Sequence, residues 1–226
     1  MTIRWRMVGI GAAVAAVAAA VVLAPKVGRR LAFFRVRQVE VIGTRYLDPA
    51  DVARRLSLGR DASTLDRLDK VRQAAVAVPG VLSATVERTL PNTLRIILRE
   101  AVPVALVSLN DRLVLVDSAG RILPFDPVAA PMSLPIAERD TLTARLLGRI
   151  MASDPILFAS IESARADRGD VLLEYGGHRI RLRPQADVNE LSAVAEVLKY
   201  LNSHAVPWRE LDARYRSRVF VQKGST

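Results

Sequence analysis

Between Met7 and Leu23 the chain runs for seventeen residues without a charge, mostly Ala and Val. A helix rising 1.5 Å per residue reaches roughly 25 Å over that length, the short limit for crossing a bilayer's hydrocarbon. Ala24 and Pro25 extend the run, and Trp5 stands at one end, where an indole favours the headgroup level. A cleaved signal peptide is the rival reading of the same residues. The run exceeds the usual h-region, no polar stretch follows it, and Pro25 comes directly after the tempting Val-Leu-Ala site. The expectation is a short cytoplasmic tail, 1–6, then a single transmembrane helix, 7–25. Arg4 and Arg6 precede the run while Lys26, Arg29 and Arg30 follow it, so charge bias alone leaves the orientation open. The brevity of the leading tail, with the whole folded region after the anchor, favours the N-terminus inside.

Past the anchor, Phe33 to Glu100 has the pattern strand, helix, helix, strand, strand. Val39 and Val41 alternate with Gln38 and Glu40 over Val36–Ile42, and Gly43 closes that strand. Asp48-Pro49-Ala50-Asp51 opens a short helix: Asp48 caps it, Pro49 suits the first helical position, and Asp51 suits the positive end of the dipole. That helix ends near Leu58-Gly59. A second is expected from Thr64 to Val78, since Leu65, Leu68, Val71, Ala75 and Val78 share a face, with Pro79-Gly80 as its stop. Alternating strands over Val81–Arg88 and Thr93–Glu100 follow, joined by Thr89-Leu90-Pro91-Asn92. Two helices on one face of a three-stranded sheet bury all these stripes.

Beyond residue 103 the signals are shorter. Strands are expected at Val104–Leu109, Arg112–Val116 and Arg121–Phe125, with an irregular Pro-rich connection at 124–135. A helix stripe at Leu142, Leu146, Leu147 and Ile150 comes next, Gly148 being a mild cost to it. A strand near Ile161–Ala166 precedes a hairpin around Gly176-Gly177, and a helix is expected over Asp187–Ser203. The chain closes on a strand pair at 211–215 and 219–221.

Composition narrows the chemistry. With no cysteine there is no thiol nucleophile, disulfide frame or thiolate metal site. The two histidines, His178 and His204, have no partner at ligand spacing, and no Gly-x-Ser-x-Gly elbow or phosphate-cradling glycine loop is present. Asp167-Arg168-Gly169-Asp170 is a turn rather than a carboxylate pair. The expectation is no enzyme, no cofactor, no metal and no small-molecule substrate. The net charge of +10 is scattered, without the dense stripe and interleaved aromatics of a nucleic-acid binder, so no nucleic acid is expected.

Several runs in this order resemble one family. Phe34-Arg35-Val36 with Val39, Val41 and Gly43 is similar to the opening of an FtsQ-type POTRA domain. Pro79-Gly80-Val81 with Ala84, Val86 and Arg88 resembles its helix-to-strand passage. Leu90-Pro91-Asn92-Thr93-Leu94, Leu98-Arg99-Glu100 and Pro103-Val104-Ala105 resemble its most recognisable stretch. Leu211–Tyr215 and Val219–Val221 look like the closing strand pair of the FtsQ/DivIB β domain, although Ala213 and Arg183-Pro184 depart from the usual pattern. The resemblance covers about residues 5 to 222. It implies an α+β chain with a single N-terminal transmembrane helix: a POTRA domain, 33–102, a mixed β domain with helices on one face, 103–222, and a tail, 223–226. It also implies a non-catalytic divisome scaffold in the cell inner membrane, single-pass type II, its ectodomain periplasmic at the division septum. The implied partners are FtsB and FtsL, with links to FtsK, FtsW and FtsI. The implied contact is strand addition of an FtsB segment along Tyr215–Gln222, through Tyr215, Ser217, Val219, Phe220 and Val221. On one continuous strand, Tyr215, Ser217, Val219 and Val221 would face one way and Phe220 the other. A POTRA-type envelope assembly or secretion component is the alternative; it would call for tandem POTRA units and a C-terminal barrel.

Overall fold

The computed structural model describes residues 32–130, 133–216 and 218–224; the expected tail at 1–6 and membrane helix at 7–25 lie outside them. No helix among the described residues is long and apolar enough to cross a membrane. The chain divides into two compact units at Glu100/Ala101, and both are α+β.

In the first unit a 3-10 turn, Ala32–Phe34, leads into β1 (Gln38–Ile42), α1 (Pro49–Arg55), α2 (Asp69–Val76), β2 (Val81–Thr89) and β3 (Thr93–Glu100). The sheet order is β1-β3-β2. β1 runs parallel to β3, from Gln38↔Thr93 to Ile42↔Ile97, while β2 returns antiparallel to it. Parallel neighbours need a long crossover, and the chain spends α1 and α2 on it. Val52, Leu56, Ala75, Val78, Ala84, Ile96 and Leu98 close the core beneath them.

The second helix is shorter than its apolar stripe predicts, starting at Asp69 instead of Thr64. The residues before it are held as a turn. The Asp66 carboxylate accepts from the Ser63 N–H (2.8 Å), and the Thr64 N–H donates to the Phe34 carbonyl (2.8 Å). The buried Thr64 hydroxyl donates to the Pro91 carbonyl (2.7 Å). The local Ser63–Asp66 bond competes with helix, and the longer-range bonds of Thr64 fix the turn in place.

Two further residues set the edge of this unit. Glu100 is only 7% exposed, and its carboxylate accepts three backbone N–H bonds, from Arg45 (2.9 Å), Tyr46 (2.8 Å) and Leu47 (3.0 Å). Gly43 adopts φ +84°, and a Cβ there would stand 2.2 Å from the Leu98 carbonyl oxygen. Together they tie the loop after β1 to the end of β3.

Among the described residues the second unit holds nine strands in one mixed sheet: β4 (Pro103–Leu109), β5 (Arg112–Asp117), β6 (Ile122–Leu123), β7 (Ile136–Ala137), β8 (Ile161–Asp167), β9 (Asp170–Tyr175), β10 (His178–Leu182), β11 (Trp208–Tyr215) and β12 (Arg218–Lys223). Their order is β12-β11-β10-β9-β8-β7-β4-β5-β6. The parallel pairs β7/β8 and β10/β11 are bridged by helices: α3 (Thr141–Ser153) with α4 (Pro155–Ala159) for the first, α5 (Val188–Ser203) for the second. Asp140 and Asp187 cap α3 and α5, the latter in a capping box with Glu190.

Several expectations are corrected here. The strand at Arg121–Phe125 shrinks to Ile122–Leu123; at its start Arg121 belongs to the turn, where the buried Asp117 carboxylate accepts from the N–H groups of Ala119 and Arg121. β7 and α4 were not expected, yet α4 carries a readable start: Asp154 caps it, accepting from Ile156 and Leu157, with Pro155 in the first turn. Leu142 is 43% exposed, and Thr143 and Ala144 join Leu146, Leu147 and Ile150 on the buried face of α3. Gly148 also lets α3 approach the β5–β6 turn: a Cβ there would lie 2.6 Å from the Ser118 Cβ.

Candidate functional site

β12 ends the nine-stranded sheet, and among the described residues it pairs with β11 alone. Its other side is a row of backbone donors and acceptors open to a further strand. Neither Pro nor a buried charge blunts this edge; Arg218 and Lys223 stand only at its two ends.

The two faces of the edge differ, and β11 and β10 set the difference. On β11, Leu211 and Ala213 are buried while Glu210, Asp212 and Arg214 alternate with them. β10 repeats the pattern, with Ile180 and Leu182 buried and Arg179 and Arg181 facing the other way. Register pairs Leu211 with Val221 and Asp212 with Phe220. Val221 therefore takes the helix side, where it lines a groove of about 440 Å³ with Val197, Tyr200 and Leu201 of α5 and Val206. Phe220 takes the opposite, charged side, and its ring meets Tyr215 edge-on at 5.2 Å.

The placement of the expected contact residues follows from this. Tyr215 is the last residue of β11, opposite Arg218 across a turn, so it does not share one strand with Val219 and Val221. Tyr215 and Phe220, expected on opposite sides, are brought together on one. Tyr215 pairs antiparallel with Arg218, so 215–222 is two strands of a hairpin and not one continuous strand. Ser217 lies outside the described residues. Tyr215 and Phe220 are each 52% exposed and Val221 38%, while Val219 is half-buried. The smaller Ala213 is buried on the helix side of β11.

Beneath the aromatic pair runs a ladder of ion pairs that was not expected. Arg214 donates to Asp212 (2.7 and 2.8 Å) and to Asp170 (3.0 Å), and its guanidinium lies 5.8 Å from the Tyr215 ring centroid. Arg181 bridges Asp167 and Glu210, and Arg179 reaches Glu210 at 3.5 Å. The hydrogen bond from Arg214 holds the Asp212 carboxyl below the ordinary carboxylate range, and the one from Arg181 does the same for Asp167. Hydrogen bonding to Asp212 and then Asp170 raises Arg214 in turn. The Asp167–Asp170 turn thus joins β8 to β9 and supplies two of the ladder's carboxylates. Period-2 alternation of Arg on β10 against acids on β11 was the available signal.

The histidines serve as packing groups. His178 stacks on Trp208 with centroids 4.1 Å apart, and His204 stacks on Tyr200 at the end of α5. Among the described residues no three His, Cys, Asp or Glu side chains are grouped to hold a metal ion.

Residues 34–101 match the family model described as the POTRA domain, FtsQ-type. No curated protein matches the chain. The matched span coincides with the β-α-α-β-β unit and ends one residue past the Glu100 clamp. Residues 34–101 of this chain are thus a POTRA domain of the FtsQ type, consistent with the FtsQ/DivIB resemblance of the sequence.

Proposed function

We propose that this chain is a non-catalytic scaffold of the bacterial division machinery that receives a segment of FtsB, paired with FtsL, as an added strand on β12. The observation that carries the proposal is the open edge of β12 in a chain whose first unit is an FtsQ-type POTRA domain. In strand addition, backbone hydrogen bonds supply affinity, and side chains alternating to the two faces supply selectivity. On β12 those faces are distinct. The helix side offers the apolar groove under Val221, and the other offers Tyr215 and Phe220 beside the arginines of the ladder.

The layout is a membrane helix at 7–25, the POTRA domain at 33–102 and the β domain at 103–222, the last two on the periplasmic side of the inner membrane. A scaffold tethered in this way raises the effective concentration of other single-span partners. By resemblance the POTRA domain connects to FtsK, and the assembled complex connects to FtsW and FtsI at the septum.

The test is binding of the chain to the periplasmic part of FtsB from the same organism, against Tyr215→Ala and Val221→Asp variants checked for folding by circular dichroism. Loss of binding in folded variants supports the reading. Unchanged binding in both removes the β12 edge as the site, and no binding by the parent chain, with or without FtsL, rejects the partner.

A further inference from the structure

One end of the POTRA unit gathers exposed apolar and basic side chains around the buried Thr64. Thr64 ties three segments together there: its hydroxyl donates to the Pro91 carbonyl, its N–H donates to the Phe34 carbonyl, and its own carbonyl accepts from Arg88 Nε (2.7 Å). The Arg37 N–H closes the same end by donating to the Asn92 carbonyl (2.9 Å). The neighbours of these anchor points face outward. Phe33 is 64% exposed and Leu90 58%, and Arg35, Arg37 and Arg60 are exposed with them. The local acids do not cancel the arginines: Asp61 pairs with Arg35 at 3.5 Å, itself 91% exposed, and Asp66 is engaged by the Ser63 N–H.

This end also begins the described chain, and sequence places the apolar run close by. From Pro25 to Ala32 is seven residue steps, a reach of at most about 25 Å. A large apolar side chain flanked by basic groups, within that distance of a bilayer, fits the headgroup boundary, where apolar rings settle into the interface and guanidinium groups meet phosphate.

We infer that this end of the POTRA unit docks on the bilayer surface, with Phe33 and Leu90 entering the interface and Arg35, Arg37 and Arg60 meeting anionic phospholipid headgroups. The inference rests on the reading of 7–25 as a retained membrane helix. The docked unit would hold a fixed face toward the membrane rather than swing on its tether.

The chain's lack of cysteine supplies the test. Leu90→Cys and, at the other end of β2, Ser83→Cys each accept one environment-sensitive fluorophore on the full-length chain. The labelled proteins are reconstituted into phosphatidylcholine vesicles with or without phosphatidylglycerol, and quenching by spin-labelled lipid is read. The expected result is strong quenching at position 90 and little at 83, dependent on phosphatidylglycerol. Each basic group near an anionic surface is worth about fivefold in partition. Arg35→Gln, Arg37→Gln and Arg60→Gln combined should therefore abolish most of the difference, as should high salt. Equal quenching at both positions, or quenching at 90 indifferent to charge and salt, overturns the docking while leaving the anchor intact. Release of the chain from vesicles by alkaline carbonate overturns the anchor instead, and the docking with it.

Discussion

Removing the Glu100 carboxylate should loosen the POTRA unit at one loop before it loosens anything else. Three backbone N–H groups, those of Arg45, Tyr46 and Leu47, converge on this side chain at 2.8 to 3.0 Å, and it is 93% removed from solvent. A hydrogen bond to a charged group contributes about 1.5–3 kcal/mol, but the three share one acceptor, and the freed donors regain some water. The net loss for Glu100→Ala is therefore about 3 kcal/mol rather than the sum. Glu100→Gln keeps one acceptor oxygen and turns an NH₂ group toward the remaining donors, so its loss is about 2 kcal/mol. Native-state hydrogen exchange reads this directly. At about 1.4 kcal/mol per tenfold, the amides of residues 45–47 should exchange on the order of 100-fold faster in Glu100→Ala, and less so in Glu100→Gln. The central-strand amides of Ile96 and Leu98 should respond only as far as global stability falls. Unchanged protection at 45–47 in Glu100→Ala would show that the carboxylate does not hold this loop, and the clamp would be wrong.

Three other perturbations follow from the same geometry. Gly43→Ala places a Cβ 2.2 Å from the Leu98 carbonyl at φ +84°, so it should cost more than about 2 kcal/mol of POTRA stability in denaturant titration. Gly148→Ala should destabilise the second unit by about 1–3 kcal/mol through its clash with the Ser118 Cβ. The double variant Gly148→Ala with Ser118→Gly should recover most of that loss, and a double variant no better than the single one would place the strain elsewhere. Because Asp167 and Asp212 are held below the usual value of about 3.9, the stability they lend is complete above that pH and lost as pH falls through their lowered values. Denaturant titrations of the second unit should therefore be flat with respect to these two groups above about pH 5 and fall below about pH 4. Asp212→Asn should lessen the fall.

What the sequence allowed to be read depended on how long each pattern runs. Val39/Val41, Ala84/Val86 and Leu94/Ile96/Leu98 alternate for several residues between clear turn signals, and β1, β2 and β3 lie where those signals end them. β7 has only Ile136 and Ala137, too short for any periodicity. The first turns of the expected Thr64–Val78 helix failed for a different reason. Leu65 and Leu68 keep helical spacing, but Ser63 and Asp66 close a local turn on each other, and Thr64 commits its N–H and hydroxyl to Phe34 and Pro91, which no local window contains. At the candidate site the strand pair was legible and its hairpin reversal was not. Alternation counted through Arg216 and Ser217 put Phe220 on the wrong face relative to Tyr215. The clamp made by Glu100 was hidden inside a run whose resemblance was plain, because its partners lie more than fifty residues away.

The most direct test of the account is hydrogen exchange of the chain with and without the periplasmic part of FtsB bound. A strand added to β12 must occupy backbone groups that β11 leaves free, so amides within 218–223 should gain at least about tenfold protection on binding. β2, an edge strand of the POTRA sheet, should not change. Complex formation with 218–223 unchanged, or with the new protection on 81–89 instead, would contradict the assignment of β12 as the partner-binding edge.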